Sequence, residues 1–152
     1  MAPRDRQQRT RDTLAKLTGP AADVWVATAA AADGQPEPYL VPLSLAWIDE
    51  RVVIAVDGTS RTARNLEAGR TARLALGPTR DVVVIDARLE RSVPVGEAGE
   101  LGERYVRQSD WDPRAAGDPY RFLVLRPVRV QAWREVDEIP GRTLMRDGSW
   151  LP

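Results

Sequence analysis

Asp57-Gly58-Thr59-Ser60-Arg61-Thr62-Ala63-Arg64-Asn65-Leu66 is the stretch whose reading decides the fold. Ahead of it, Arg51–Val56 carries Val-Val-Ile-Ala-Val, a β-branched run that reads as a strand. Asp57-Gly58-Thr59-Ser60 breaks that run. A short helix is expected over Arg61–Ala68, with Ser60 or Thr59 as its N-cap and Gly69 just past its end. The junction therefore gathers free backbone N–H groups, two hydroxyls and the guanidiniums of Arg61 and Arg64. Such a helix start suits a phosphate, because its unsatisfied donors and its dipole favour an anion and an arginine adds a bidentate clamp. A second reading fits the same residues: Ser60 caps a surface helix whose arginines are simply solvated.

Upstream, Met1–Lys16 reads as a polar, Arg-rich arm leading into a short helix, with Leu14 and Leu17 as its apolar contacts and a stop at Thr18-Gly19-Pro20. Val24–Thr28 reads as a first strand and Asp33-Gly34 as a hairpin-type turn. Pro36 and Pro38 keep the next segment extended. Over Tyr39–Trp47 the residues Tyr39, Val41, Leu43, Leu45 and Trp47 share one face, and Leu40, Pro42, Ser44 and Ala46 the other, as a strand requires. Asp49-Glu50 then turns the chain into Arg51–Val56.

Downstream, strands are expected over Thr71–Leu76 and from Asp81 to about Pro94. The apolar Val82–Ile85 suggests burial on both faces there, and Arg88, Glu90 and Ser92 suggest a rim. Glu97–Gln108 reads as a helix with its acidic residues early and its arginines late, weakened by Gly99 and Gly102. Ser109–Pro119 reads as a loop around Trp111, followed by strands Tyr120–Leu125 and Val128–Glu135 parted at Pro127. Six or seven strands with a few short helices and no βαβ rhythm point to a mainly β (α+β) fold, an antiparallel barrel rather than a parallel sheet. No internal repeat and no linker divides the chain, so residues 1–152 read as one domain, with 1–18 as its arm and first helix.

Composition removes whole classes of chemistry. The 152 residues hold 22 Lys+Arg against 22 Asp+Glu, with no histidine and no cysteine. A Ser–His or Cys–His nucleophile pair cannot be built, and no metal site or disulfide is expected. The balanced charge argues against nucleic acid or an anionic membrane as the main partner. Lys16 is the only lysine, which leaves a Schiff-base mechanism one poorly placed residue. No apolar run approaches the roughly 18 residues of a membrane-spanning helix, so a soluble cytoplasmic protein is the expectation. Gly34 and Gly58 match neither a P-loop nor a dinucleotide fingerprint.

The order of these features resembles a known family. A strand, then Gly34-x-Pro36 leading to Leu40-Val41-Pro42-Leu43, another strand, Ser60-Arg61-Thr62-Ala63-Arg64-Asn65-Leu66, and Ala72-Arg73-Leu74-Ala75-Leu76 together resemble the pyridoxamine 5′-phosphate oxidase-like split barrels. The likeness extends to their deazaflavin (F420)-dependent reductase branch and spans roughly Val24 to Trp133. It implies a homodimer with FMN or F420 in a groove between the two chains. Thr59, Ser60, Arg61, Thr62, Arg64 and Asn65 would then surround the phosphate, and Val41, Pro42, Leu43 and Ser44 would run along the ring. One position departs from the pattern: relatives carry a lysine where this chain has Thr62, which removes a positive charge from the clamp.

The resemblance implies an oxidoreductase moving hydride to or from a small organic substrate, with the ring carrying the chemistry that a chain without His or Cys cannot. No catalytic side chain is singled out. The competing reading keeps the fold without turnover, as a flavin or F420 carrier or sensor, or as a dimer without cofactor. Five tryptophans, Trp25, Trp47, Trp111, Trp133 and Trp150, are expected mainly in the core or at a chain interface. Trp111, in a loop, needs a partner of some kind. Arg121, Arg126 and Arg129 either line the groove or sit on the outer face, the outer face being the expectation, and Asp81, Asp86 and Glu90 are expected in solvent.

Overall fold

The computed structural model describes residues 2–30 and 34–152. Helix α1 (Arg6–Thr18) starts where the Asp5 carboxylate accepts from the Gln8 N–H and stops at Gly19. Strands β1 (Asp23–Thr28), β2 (Tyr39–Ser44), β3 (Ala46–Ile48) and β4 (Arg51–Asp57) follow, then α2 (Arg61–Gly69), β5 (Thr71–Leu76) and β6 (Val82–Pro94). Helix α3 (Glu100–Ser109), β7 (Tyr120–Trp133), β8 (Thr143–Arg146) and β9 (Ser149–Trp150) complete the chain. Asp33 of the expected Asp33-Gly34 turn lies outside the described residues. Among the described residues no helix is long and apolar enough to cross a membrane.

All pairings are antiparallel, in the order β2-β1-β5-β6-β7-β4-β3. The two ends of that order are consecutive in the chain, joined only by Leu45. Ser44 still pairs with Asp23 of β1, the Leu45 N–H donates to the Ala22 carbonyl at 3.0 Å, and Ala46 already pairs with Val53 of β4. One extended segment thus changes partners and closes the sheet into a barrel. The single strand expected over Tyr39–Trp47 is therefore two. Its expected face survives the change, since Val41, Leu43, Leu45 and Trp47 all pack on the barrel core while Ala46 and Ile48 pack on a second cluster.

That second cluster, with Val53, Ala55, Phe122, Val124 and Tyr105, lies under α3. Strand β4 is buried on both sides as a result, which explains its unbroken apolar run Val52–Val56. The same reading fails for β6. Val83 and Ile85 face the core, but Val82 and Val84 are half-buried on the outside.

Other boundaries shift for local reasons. The sheet has nine strands rather than six or seven, because β8 and β9 are too short to show a period of two. Pro127 does not end a strand: β7 runs through it, with the register shifting where Asp86 pairs with Arg129 and Ala87 with Pro127, so the missing N–H falls at a bulge. Gly69 belongs to α2, and Arg70 takes the left-handed position at φ 66°, its N–H on the Leu66 carbonyl. The helix expected from Glu97 begins at Glu100, behind a short 3-10 turn over Val95–Glu97 and Gly99 at φ 55°.

The polar arm is bound to the barrel by ion pairs. Arg4 places Nη2 at 2.7 Å from Glu138 Oε1 and Nε at 3.0 Å from Oε2, and its own N–H donates to the same carboxylate. The two side chains are 8% and 3% exposed. Arg4 Nη1 also meets Asp12 at 2.9 Å, and Lys16 Nζ meets Asp81 at 2.9 Å. Asp81, Asp86 and Glu90, expected in solvent, are each ion-paired, to Lys16, Arg73 and Arg51.

The hydrogen bonds from Arg4 pull the Glu138 carboxyl down from its ordinary 4.5 to about 2, against the opposing effect of burial. A depressed folded-state value contributes stability that is complete above about pH 4.5 and is lost as pH falls toward 2. Urea denaturation curves should show this decline in the native chain and a flatter one in Glu138→Gln. The substitution should also cost about 3 kcal/mol at pH 7, since it leaves the Arg4 charge buried and poorly paired.

Candidate functional site

The junction between β4 and α2 is built locally. Ser60 N donates to the Asp57 carbonyl at 3.0 Å, Ser60 Oγ accepts from Ala63 N at 3.2 Å, and Arg64 N returns to the Ser60 carbonyl at 3.0 Å. Ser60 is therefore the N-cap. The N–H groups of Arg61 and Thr62 make no hydrogen bond to a described residue, so two donors at the positive end of α2 stay open. Asp57 Oδ1 accepts from both Thr59 N and Thr59 Oγ1 at 2.7 Å, and these bonds hold its carboxyl below the usual range.

The expected phosphate residues divide between two environments. Thr59, Ser60, Arg61 and Arg64 stand together at the surface. Arg61 Nη2 meets Glu37 Oε2 at 3.0 Å, and its guanidinium lies 5.4 Å from the centre of the Tyr39 ring. Arg64 is exposed and forms no ion pair with a described residue. Thr62 and Asn65 instead turn into the barrel, 3% and 9% exposed. Asn65 Nδ2 donates to Thr28 Oγ1 at 3.1 Å and so ties α2 to β1.

Residues of β2 divide by face in the same way. Val41 packs inward, whereas Leu40 and Pro42 point out, Leu40 being 58% exposed. Pairing carries this outer side across the sheet as a row: Pro42 beside Trp25, Trp25 beside Ala75, Ala75 beside Val84. Trp25 is 50% exposed. Pro42, Leu43 and Ser44 join Trp25 and Ala75 in lining an open pocket of about 510 Å³. From Tyr39, beside Arg61, to Pro42 is three residues of strand, about 10 Å.

Ser44 is held from behind. Tyr105 Oη donates to the Ser44 carbonyl at 3.3 Å and accepts from Trp111 Nε1 at 3.2 Å. Burial pushes the Tyr105 hydroxyl up to about 12, so it remains a donor at any working pH. Trp111, also edge-on to Tyr120, finds its partners in Tyr105 of α3 and Tyr120 at the start of β7.

Of the three late-strand arginines, one stands near the junction rather than simply on the outer face. Arg121 pairs in register with Val56 of β4 and lines a pocket of about 390 Å³ with Gly58 and Thr59. Its Nε donates to Ser92 Oγ at 2.7 Å. A Cβ on Gly58 would come within 3.0 Å of Arg121 Cδ and of the Pro119 carbonyl, which is why glycine stands there. Only the β4–β7 pairing, remote in sequence, brings Arg121 to this place. Arg126 is half-buried and Arg129 exposed.

No family model matches the chain, and no curated protein matches it in sequence. Solved structures do match. An F420 reductase aligns with a TM-score of 0.61 at 18% identity, covering 76% of this chain and 94% of that one. A heme binding protein from Mycobacterium smegmatis aligns with a TM-score of 0.62 at 21% identity, over 94% of this chain and 58% of that one. A pyridoxamine 5′-phosphate oxidase-related, FMN binding protein from Nostoc punctiforme aligns with a TM-score of 0.51 at 15% identity, over 84% and 78%. The fold is that of the pyridoxamine 5′-phosphate oxidase-like split barrels.

The cap gives a direct test of the junction. Ser60→Ala should destabilise the protein by about 1 kcal/mol, the usual worth of a serine N-cap, and Ser60→Asp should restore most of it. Thermal denaturation of the two variants reads the difference.

Proposed function

We propose that the chain is a flavin-type redox protein, a homodimer that binds FMN or F420 along β2 and moves hydride between its ring and a small organic substrate. The observation that carries this reading is an anion-ready helix start at one end of a strand whose other end opens into a pocket of mixed lining, with Trp25, Pro42 and Leu43 beside Asp23 and Ser44. The donor set fits the group: the free N–H groups of Arg61 and Thr62 with the Arg61 and Arg64 guanidiniums suit a phosphate. The outward row of Pro42 and Trp25 suits the face of a ring. Three residues of strand, about 10 Å, separate Tyr39 beside the first from Pro42 of the second.

The bound ring would supply the hydride chemistry. This chain's own residues bind, orient and shield it. Arg61 and Arg64 anchor the phosphate; the backbone of Pro42, Leu43 and Ser44 runs beside the ring; Tyr105, by holding the Ser44 carbonyl, keeps that edge from moving. Trp25, Leu40, Ala75 and Val84 leave an apolar sheet face uncovered, which supports a second copy as the groove's other wall.

A second reading, a carrier or sensor without turnover, is favoured by the local charge. Glu37 engages Arg61, and Asp57 already takes both donors of Thr59. Thr62 brings no charge.

Titration with FMN and with F420, followed by absorbance and thermal stability, tests both readings. Either ligand should bind once per chain and, at a hundredfold excess over Kd, stabilise by about 2.7 kcal/mol. Arg61→Ala and Arg64→Ala should each weaken binding about tenfold, some 1.4 kcal/mol, with unfolding midpoints unchanged. Binding of neither ligand removes the proposal; binding without reduction of quinone or enone acceptors selects the carrier. Trp25→Glu should convert the dimer to monomer in sedimentation equilibrium, because the charge would lie in the centre of the proposed interface.

A further inference from the structure

We propose that the chain carries a second anion site, separate from α2, which takes a diphosphate group. It lies where β7 and β8 meet the start of α1. Arg6, Arg129, Arg142 and Arg146 line one pocket of about 260 Å³ together with Gln131 and Thr143. No Asp or Glu lines it, and none of these four arginines forms an ion pair with a described Asp or Glu side chain. This sets them apart from Arg4, Arg51, Arg73, Arg80, Arg114 and Arg134, each of which holds an Asp or Glu.

The arrangement is organised. With its amide oxygen turned to the two guanidiniums, Gln131 accepts from Arg129 Nη2 at 3.1 Å and from Arg142 Nε at 3.3 Å. A neutral acceptor shared by two cations aims them without cancelling their charge. The Arg142 guanidinium also lies 5.0 Å from the centre of the Trp133 ring, which fixes it from another side. Arg6 Nη1 donates at 2.8 Å to an oxygen of the terminal Pro152, which offsets part of its charge and leaves Arg129, Arg142 and Arg146 as the uncompensated cations, while Arg6 Nε is buried with no partner. Like charges in one concavity repel one another, and an anion bearing three or four negative charges is their natural complement.

Arginine forks favour phosphate or carboxylate oxygens in pairs, and the small volume favours two linked phosphates over a polymer. Inorganic diphosphate and the diphosphate of a nucleotide share this chemistry. The site does not depend on a flavin at α2, since no residue is common to the two.

Isothermal titration calorimetry on the purified full chain at about 0.15 M salt, where exposed charges are well screened, tests the proposal. Pyrophosphate should bind once per chain and about tenfold or more tighter than inorganic phosphate. ADP binding as tightly as pyrophosphate assigns the nucleotide as a source; pyrophosphate alone assigns the inorganic ion. Arg146→Gln and Arg142→Gln should each weaken binding about tenfold, while Arg61→Gln should leave it unchanged. Arg146 is exposed, so its substitution should not alter the unfolding midpoint and remains informative if Arg142→Gln misfolds. No measurable heat overturns the site, as does loss of binding in Arg61→Gln but not in Arg146→Gln. Tighter binding of a single-stranded RNA than of pyrophosphate also overturns it, in favour of a nucleic-acid surface.

Discussion

Everything in this molecule depends on one residue keeping its side chain inward while its backbone neighbours change partners. Leu45 is fully buried in the barrel core, and its N–H is satisfied by Ala22 rather than by a ladder. On one side of it the chain belongs to β1, on the other to β4. Passing one continuous segment from one end of the sheet to the other curls the sheet on itself, with β2 and β3 as its two edge strands. It also fixes register, because a slip of one residue would send Leu43, Leu45 and Trp47 outward together. The type of residue matters less than the parity: an apolar side chain must arrive at position 45 in phase with both halves.

The same closure positions the candidate site. With β2 held by β1 along its length, its outer residues form a fixed row with Trp25 and Ala75. Helix α2 is then constrained twice, by the turn after β4 and by the buried bond from Asn65 to Thr28. That bond costs little to keep and would be expensive to lose, since both partners are shielded from water. The start of α2 is thereby delivered beside Tyr39, at the end of the groove where an anion would sit. Asn65 and Thr62, which the family resemblance places around the phosphate, occupy buried positions in this chain.

The sequence disclosed features written into a single segment. The capped start of α2 and the inward face of Tyr39–Trp47 were readable, whereas burial on both faces, expected of Val82–Ile85, belongs instead to β4. Val82–Ile85 and Val52–Val56 look alike as strings; only the position of α3, which covers one and not the other, separates them. Strand β8 has four residues and its partner is fixed by a distant pairing, so no period could show it. Arg121 reaches the junction, and Gln131 reaches two arginines, through cross-strand register. That information is absent from any local window.

Charge, balanced over the chain, is unevenly distributed in space, and this bears on how the two arginine groups differ. Near α2 one of the two arginines already has an answer: Glu37 lies on Arg61, and Asp57 faces the same turn, while Arg64 has no ion pair with a described residue. An incoming phosphate there must compete with resident carboxylates, which lowers affinity but leaves the site soluble and ordered when empty. At the β7–β8 edge the answers are a glutamine oxygen and a tryptophan face, both neutral, with Arg6 alone turned to an oxygen of the terminal Pro152. Neutral partners orient a guanidinium without satisfying its charge. A chain with as many acidic as basic residues could have placed an Asp or Glu among these four arginines, as it did around Arg4 and Arg114. Leaving them without one is a cost in repulsion that an anionic ligand would remove.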